Sequence, residues 1–128
     1  TVEFRRVGTT TVVESTTIPL GIFNTIGTTR VGTFDVAIKG SHWLRKVLPN
    51  VTMHWLYHTP FLSFELTNGD CDGDNEIAIG DFAALSAAYG LALGDPGFDP
   101  NADLNGDEAV DIGDYSILST NFGQVGED

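Results

Sequence analysis

The sequence predicts a mainly β chain with a small α part: an N-terminal antiparallel β-sandwich module over residues 1–67, packed on a C-terminal pair of acidic loop–helix units over residues 68–128. Three observations predict it. The first half is rich in Thr and β-branched residues, cut at short intervals by Gly and Pro. The second half contains a twelve-residue acidic stretch that returns 33 residues later. The charge also changes sense between the halves: residues 1–67 carry six basic against four acidic side chains, whereas residues 68–128 carry fourteen acidic ones and neither Lys nor Arg.

The N-terminal strands follow from pattern and punctuation. Thr1–Val7 begins with alternation, Val2 and Phe4 on one face. Thr11–Leu20 is β-branched, with Pro19 marking an edge or a break. Strands are expected next over Gly21–Thr29 and Thr33–Lys39, separated by Gly32 and Gly40, then over Trp43–Leu48, Val51–Tyr57 and Phe61–Leu66. About seven short strands at close spacing predict a sandwich. Thr67-Asn68-Gly69 is too short for a flexible linker, so the two halves are expected as a packed pair.

The acidic stretch runs Asp70-Cys-Asp-Gly-Asp-Asn-Glu-Ile-Ala-Ile-Gly-Asp81 and recurs as Asp103-Leu-Asn-Gly-Asp-Glu-Ala-Val-Asp-Ile-Gly-Asp114. Each copy places oxygen-bearing side chains at positions 1, 3, 5 and 12. Ca²⁺ takes roughly six to eight hard oxygens at about 2.3–2.6 Å, and this spacing wraps a short loop around one ion. Two Ca²⁺ sites are therefore predicted. The first would use Asp70, Asp72, Asp74 and Asp81 with the Glu76 carbonyl at position 7; the second would use Asp103, Asn105, Asp107 and Asp114 with the Ala109 carbonyl. At position 9 Asp111 can reach its ion directly or through water, whereas Ala78 leaves that vertex to water, so the two affinities should differ.

Position 6 normally needs φ > 0 and Gly. Asn75 tolerates that geometry; Glu108 there would be strained by about 1–2 kcal/mol. The repeat continues past the loops, since Ile79–Gly90 and Ile112–Gly123 share six identities in twelve. Short helices are predicted over Asp81–Tyr89 and Asp114–Phe122, each ended by a Gly. Their stripes, Phe82/Leu85/Tyr89 and Tyr115/Leu118/Phe122, are expected to face each other as one small core, because helices this short are not stable alone.

The paired loops and the helix pattern Asp-aromatic-x-x-Leu-Ser-x-x-aromatic-Gly make residues 70–124 resemble a type I dockerin, a duplicated loop–helix calcium module that docks onto cohesin domains. The resemblance implies that Ile79 with Gly80, and Ile112 with Gly113, help recognise the partner; plain core packing is the alternative for the isoleucines. They match in both copies, as a pseudo-twofold binder needs, but are apolar or small where many dockerins carry Ser and Thr. More distantly, Gly32–Gly40 resembles prealbumin-like β modules of bacterial surface proteins.

A cation-free acidic half repels nucleic-acid phosphates and anionic membranes. No stretch is apolar and long enough to span a bilayer as a helix. The acidic half is also too short for a large core and needs staples. Calcium is read as structural, which places the protein outside the cell or on a bacterial surface, where calcium is plentiful. Cys71, the single cysteine, is read as a small residue at a non-ligand position rather than as half of an interchain disulfide.

His54 and His58 share a strand face without a third metal ligand, and Asn50-Val-Thr52 fits a glycosylation acceptor. No catalytic motif is present, so an enzyme is not expected. The first functional expectation is a secreted structural protein that self-associates into a homo-oligomer, a surface layer or filament, by strand addition and charge complementarity. The alternative is a dockerin that anchors an upstream module to a cohesin scaffold. A small hydrolase is a remote third.

Overall fold

The computed structural model describes residues 1–18, 30–54 and 62–128. Among these residues there are four strands, β1 (Val2–Arg5), β2 (Val12–Thr16), β3 (Gly32–Ile38) and β4 (Lys46–Met53), followed by two helices, α1 (Ile79–Ala88) and α2 (Ile112–Asn121). The chain divides into two compact units. One comprises residues 1–39, 46–65 and 128; the other comprises 40–45 and 66–127. The sequence-based division falls between Thr67 and Asn68, yet Gly40–Arg45, which lies in the chain between β3 and β4, groups with the C-terminal residues.

In the first unit the strands form one antiparallel sheet in the order β2-β1-β3-β4. Val2 faces Ile38 and Phe4 faces Val36 across β1 and β3, and Phe34 faces Val51 across β3 and β4. This alternation buries Val2, Phe4, Val36, Ile38, Val51 and Met53, and Phe4 meets Phe34 edge-on at 6.2 Å between ring centroids. The opposite face is buried at Arg5, Asp35 and Ala37. Arg5 is paired with Glu3 at 2.7 Å. Asp35 sits where the register shifts; its carboxylate accepts the N–H of Gly8 at 2.7 Å and of Asn50 at 2.9 Å. Those two bonds hold the carboxyl below its ordinary value, against the opposing effect of burial.

Three strand expectations change. Trp43–Leu48 and Val51–Tyr57 are not separate strands: β4 runs through Pro49-Asn50, because Asn50 takes φ +58° at the register shift and the ladder resumes beyond it. Residues 62–66 are not in a strand. The predicted strand Gly21–Thr29, Pro19, and residues 55–61 with Trp55 and His58 lie outside the described residues. The described strands thus make one sheet, mainly β with two helices elsewhere in the chain.

In the second unit both helices begin two residues earlier than predicted, at Ile79 and Ile112. The reason is local. Asp81 and Asp114 stand in the first turn rather than at the cap, and each carboxylate reaches back to accept the N–H of Ala78 (2.7 Å) or Asp111 (2.8 Å). The core joins Leu44, Cys71, Ile77, Leu85, Ala88, Ala102, Leu104, Val110 and Leu118. Most of it comes in repeat-related pairs, positions 2 and 8 of each loop (Cys71/Leu104, Ile77/Val110) and one Leu per helix.

The two repeats are cross-paired. Ile77 N–H donates to Gln124 O and Gly123 N–H to Ile77 O, both at 2.8 Å, so the first loop is bonded to the chain after α2. Val110 N–H donates to Leu91 O at 2.9 Å and Gly90 N–H to Val110 O at 2.8 Å, so the second loop is bonded to the chain after α1. Neither loop–helix unit is complete without the other.

Candidate metal loops and docking face

Each loop folds around its first carboxylate. Asp70, fully buried, accepts the N–H of Gly73 (2.8 Å) and Asn75 (3.1 Å) through its two oxygens. Asp103 does the same for Gly106 (2.8 Å) and Glu108 (3.0 Å). Positions 3 and 5 turn the chain by the same device: Asp72 and Asp74 accept from Asp74 and Glu76, Asn105 and Asp107 from Asp107 and Ala109. The carboxylate at position 12 closes the loop. Asp81 Oδ1 accepts Asp72 N–H at 3.1 Å, and Asp114 Oδ1 accepts Leu104 and Asn105 N–H at 2.8 and 3.1 Å. Both are fully buried.

Position 6 has the geometry its place in the loop demands, φ +76° at Asn75 and +70° at Glu108. The second value carries the backbone cost expected of a Glu in the left-handed region.

Among the described residues, ligand oxygens of Asp70, Asp72 and Asp74 lie within 4.8 Å of one another. The crowding has an electrostatic signature. Loss of solvent raises the Asp72 carboxyl above its ordinary value, the carboxylates of Asp81, Asp74 and Asp70 add to this, and the Asp74 N–H acts the other way. Converging hard oxygens that repel one another are the donor set a divalent cation of the Ca²⁺ class fits. At position 9 Asp111 is engaged in the fold: its side chain accepts Gly113 N–H at 2.7 Å and caps α2. Burial, together with the carboxylates of Asp81, Asp99, Asp70 and Asp72, pushes the Cys71 thiol up to about 12. It is a protonated core group.

The helices differ from expectation in what they bury. Leu85 and Leu118 are core, but the aromatics predicted to face each other in the core are open: Phe82 and Tyr115 are 39% exposed, Tyr89 52% and Phe122 54%. The loops cover the leucine side of the helix pair and leave the aromatic side bare. Ile79 and Ile112, for which core packing was the alternative, are 73% and 63% exposed. Phe82 and Tyr115 meet edge-on at 6.1 Å, and a shallow groove of about 400 Å³ is lined by Ile79, Phe82, Tyr115, Leu118, Ser119 and Phe122. Six large apolar side chains left open on a small unit form the kind of patch that marks a protein interface. The signal was available in the sequence: positions 2 and 8 of both loops are apolar, and they supply the core that the aromatics were expected to supply.

Gly80 and Gly113 stand in the first turn of each helix, next to the exposed isoleucines. A Cβ on Gly80 would collide with the Asp72 carboxylate, and one on Gly113 would come within 2.9 Å of Asn105 Nδ2. Glycine therefore lets the position-3 side chain lie over the first turn of each helix.

Comparison with known proteins gives a consistent picture. The family model described as "Dockerin type I domain" matches residues 68–123. No curated protein sequence matches the chain significantly. Two solved structures, both interface mutants of a type II cohesin–X-dockerin complex from Acetivibrio cellulolyticus, resemble it in fold at 24% identity. For the C-terminal interface mutant the TM-score is 0.59, over 76% of this chain and 66% of that chain. For the N-terminal interface mutant it is 0.55, over 77% and 67%. A type II cohesin–dockerin domain structure from Bacteroides cellolosolvens aligns at 30% identity over 52% of this chain and 100% of that one, with a TM-score of 0.42. The chain thus spans about two thirds of the length of the first two. Among the described residues no helix is long and apolar enough to cross a membrane. Residues 68–123 thus match the type I dockerin family.

Proposed function

We propose that this chain is a non-catalytic, calcium-stapled dockerin module that docks onto a cohesin domain through the apolar face of α1 and α2. The observation that carries the reading is the exposure of Ile79, Phe82, Ile112 and Tyr115 on the helices and of Tyr89 and Phe122 at their C-caps, while the helices' only charged groups, Asp81 and Asp114, are buried. Partner recognition is assigned to Ile79, Gly80, Ile112 and Gly113, with the neighbouring aromatics.

Two Ca²⁺ ions would be held by the two loops. Asp70, Asp72, Asp74, Asp81 and the Glu76 carbonyl would hold the first; Asp103, Asn105, Asp107, Asp114 and the Ala109 carbonyl would hold the second, with Asp111 reaching it through water. Bound calcium would neutralise the crowding at Asp72 and fix each helix start. At free calcium about a thousandfold above the dissociation constant, linkage stabilises the unit by about 4 kcal/mol per site. Millimolar calcium is found outside the cell, which supports an extracellular or cell-surface location.

The expectation that put self-association first gives way here. The dockerin family and the fold shared with cohesin-bound dockerins support a cohesin partner better than a homo-oligomer. The discriminating experiment is calorimetric titration with type I and type II cohesin domains, in calcium and in EGTA, alongside sedimentation of the protein alone. The reading expects a monomer that binds at least one cohesin type only in calcium. A calcium-loaded chain that binds neither type, or that polymerises instead, refutes it. Chelation should also lower the melting temperature strongly, and Asp74→Ala and Asp107→Ala should each reproduce part of that loss; an unchanged melt removes the structural role of calcium.

A further inference from the structure

We propose that Asn75 is a positioning residue for the first metal loop, tying it to Gly40–Arg45, so that this loop's calcium affinity depends on a segment outside the family match. The inference rests on the reading of the loops as calcium sites. Gly40–Arg45 precedes the matched residues 68–123 by more than twenty positions, yet it belongs to the same compact unit. It grips the first loop at two places. At the loop's start, the amides of Gly69 and Asp70 both donate to His42 O, at 3.0 and 3.1 Å, and Leu44 N–H donates to Thr67 O at 2.8 Å while its side chain enters the core. At position 6, Asn75 Oδ1 accepts the N–H of Arg45 at 2.7 Å.

The C-terminal chain completes the tie. Gly126 N–H donates to Asn75 O at 2.8 Å, Glu127 N–H to Arg45 O at 2.9 Å, and Asn75 Nδ2 to Glu127 O at 3.4 Å. Gly126 has no Cβ because one there would collide with the Asn75 side chain.

The second loop shows what is special here. Glu108 repeats the backbone bonds of Asn75, donating to Asp103 and accepting from Leu93 N–H at 2.8 Å. The amide corresponding to that of Gly69, that of Ala102, bonds only three residues back, to Asp99 O at 3.0 Å. The second loop, including its bond from Asn68 Nδ2 to Leu104 O at 2.6 Å, is thus built within residues 68–123, and the first is completed from outside them. Asn75 N–H also donates to Asp70 Oδ2, so the residue that holds Arg45 is one bond from the carboxylate at position 1.

The test exploits opposite signs. Glycine suits φ +76° better than Asn, so a residue kept only for loop geometry would make Asn75→Gly neutral or stabilising, with calcium affinity unchanged or tighter. A positioning role gives the reverse. In the Asp107→Ala background, where only the first loop titrates, Asn75→Gly should weaken calcium binding about tenfold, the net worth of one or two hydrogen bonds. Amide exchange at Arg45 and Glu127 should speed up by a similar factor. Asn75→Asp, which keeps an acceptor for Arg45 N–H, should restore slow exchange at Arg45. Glu127→Pro removes the Glu127–Arg45 bond without changing a residue of the loop, and keeps the carbonyl that accepts from Asn75 Nδ2; it should reproduce part of the calcium effect even if Asn75→Gly does not fold. Unchanged or tighter calcium binding in Asn75→Gly overturns the inference alone. Failure of the Asp107→Ala parent to bind calcium overturns both the inference and the calcium reading of the first loop.

Discussion

Replacing Glu108 by Gly should stabilise the second unit, against the usual effect of putting glycine into an ordered segment. Glu108 sits at φ +70°, where an L side chain costs about 1–2 kcal/mol. Glycine removes that cost but gives the unfolded chain more freedom, worth about 0.5–1 kcal/mol. At the midpoints of these ranges the balance is a gain of about 0.75 kcal/mol. The loop itself should not change, because Glu108 is held through its backbone, donating to Asp103 at 3.0 Å and accepting from Leu93 at 2.8 Å. For a unit of this size, Gly40–Arg45 with Leu66–Glu127, that gain raises the melting temperature by about 3–6 °C. The substitution also removes one negative charge from a chain of net charge −12, so Glu108→Gln serves as the control: it removes the charge and keeps the backbone cost. The assay is scanning calorimetry of all three proteins in saturating calcium. Glu108→Gly should melt above both wild type and Glu108→Gln. If it melts at or below Glu108→Gln, the left-handed backbone at position 6 carries no strain and the reasoning is wrong.

Other outcomes follow from burial and from Asp35. Leu118→Ala, at a side chain only 1% exposed, should cost about 2–5 kcal/mol and bring the second unit near unfolding by circular dichroism. Ile79→Ser and Ile112→Ser should each leave the melt within about 0.5 kcal/mol of wild type, because both side chains already face solvent, while weakening cohesin binding; a fall of several degrees would return them to the core. Asp35 has its carboxyl lowered by the Asn50 and Gly8 amides, so its ionised form stabilises the sheet. That contribution is complete above the unfolded value near 3.8 and is lost as pH falls through the lower folded one. The amide resonances of Gly8 and Asn50 should shift together below pH 3.8, and Asp35→Asn should abolish the shared titration.

Much of the second unit was legible because its loops are built from bonds between near neighbours. Positions 1, 3, 5 and 12 can be read from spacing alone: each carboxylate or amide turns the chain a few residues on, and the repeat states the same instruction twice. The positive φ at position 6 follows from the same local geometry, which is why it could be anticipated at Glu108. Helix existence was equally local, and the starts fall two residues before Asp81 and Asp114 because these carboxylates reach back from the first turn to the N–H of Ala78 and Asp111.

What the sequence by itself determined, then, was a duplicated acidic loop–helix unit following a β-rich half, the oxygen-bearing residue types of those loops, and the family that residues 70–124 resemble. Only the tertiary structure decided which side of each helix is covered. A stripe at i, i+3, i+7 says that one face is apolar, not that it is buried; here loop residues Cys71, Leu104, Ile77 and Val110 fill the core beside the leucines, and the aromatics stay exposed. The cross-pairing of each loop with the chain after the other helix, and the recruitment of Gly40–Arg45 to the first loop, were likewise beyond reach of local pattern. These are backbone hydrogen bonds between segments far apart in the chain, and a peptide N–H carries no mark in the sequence of which distant carbonyl it will meet.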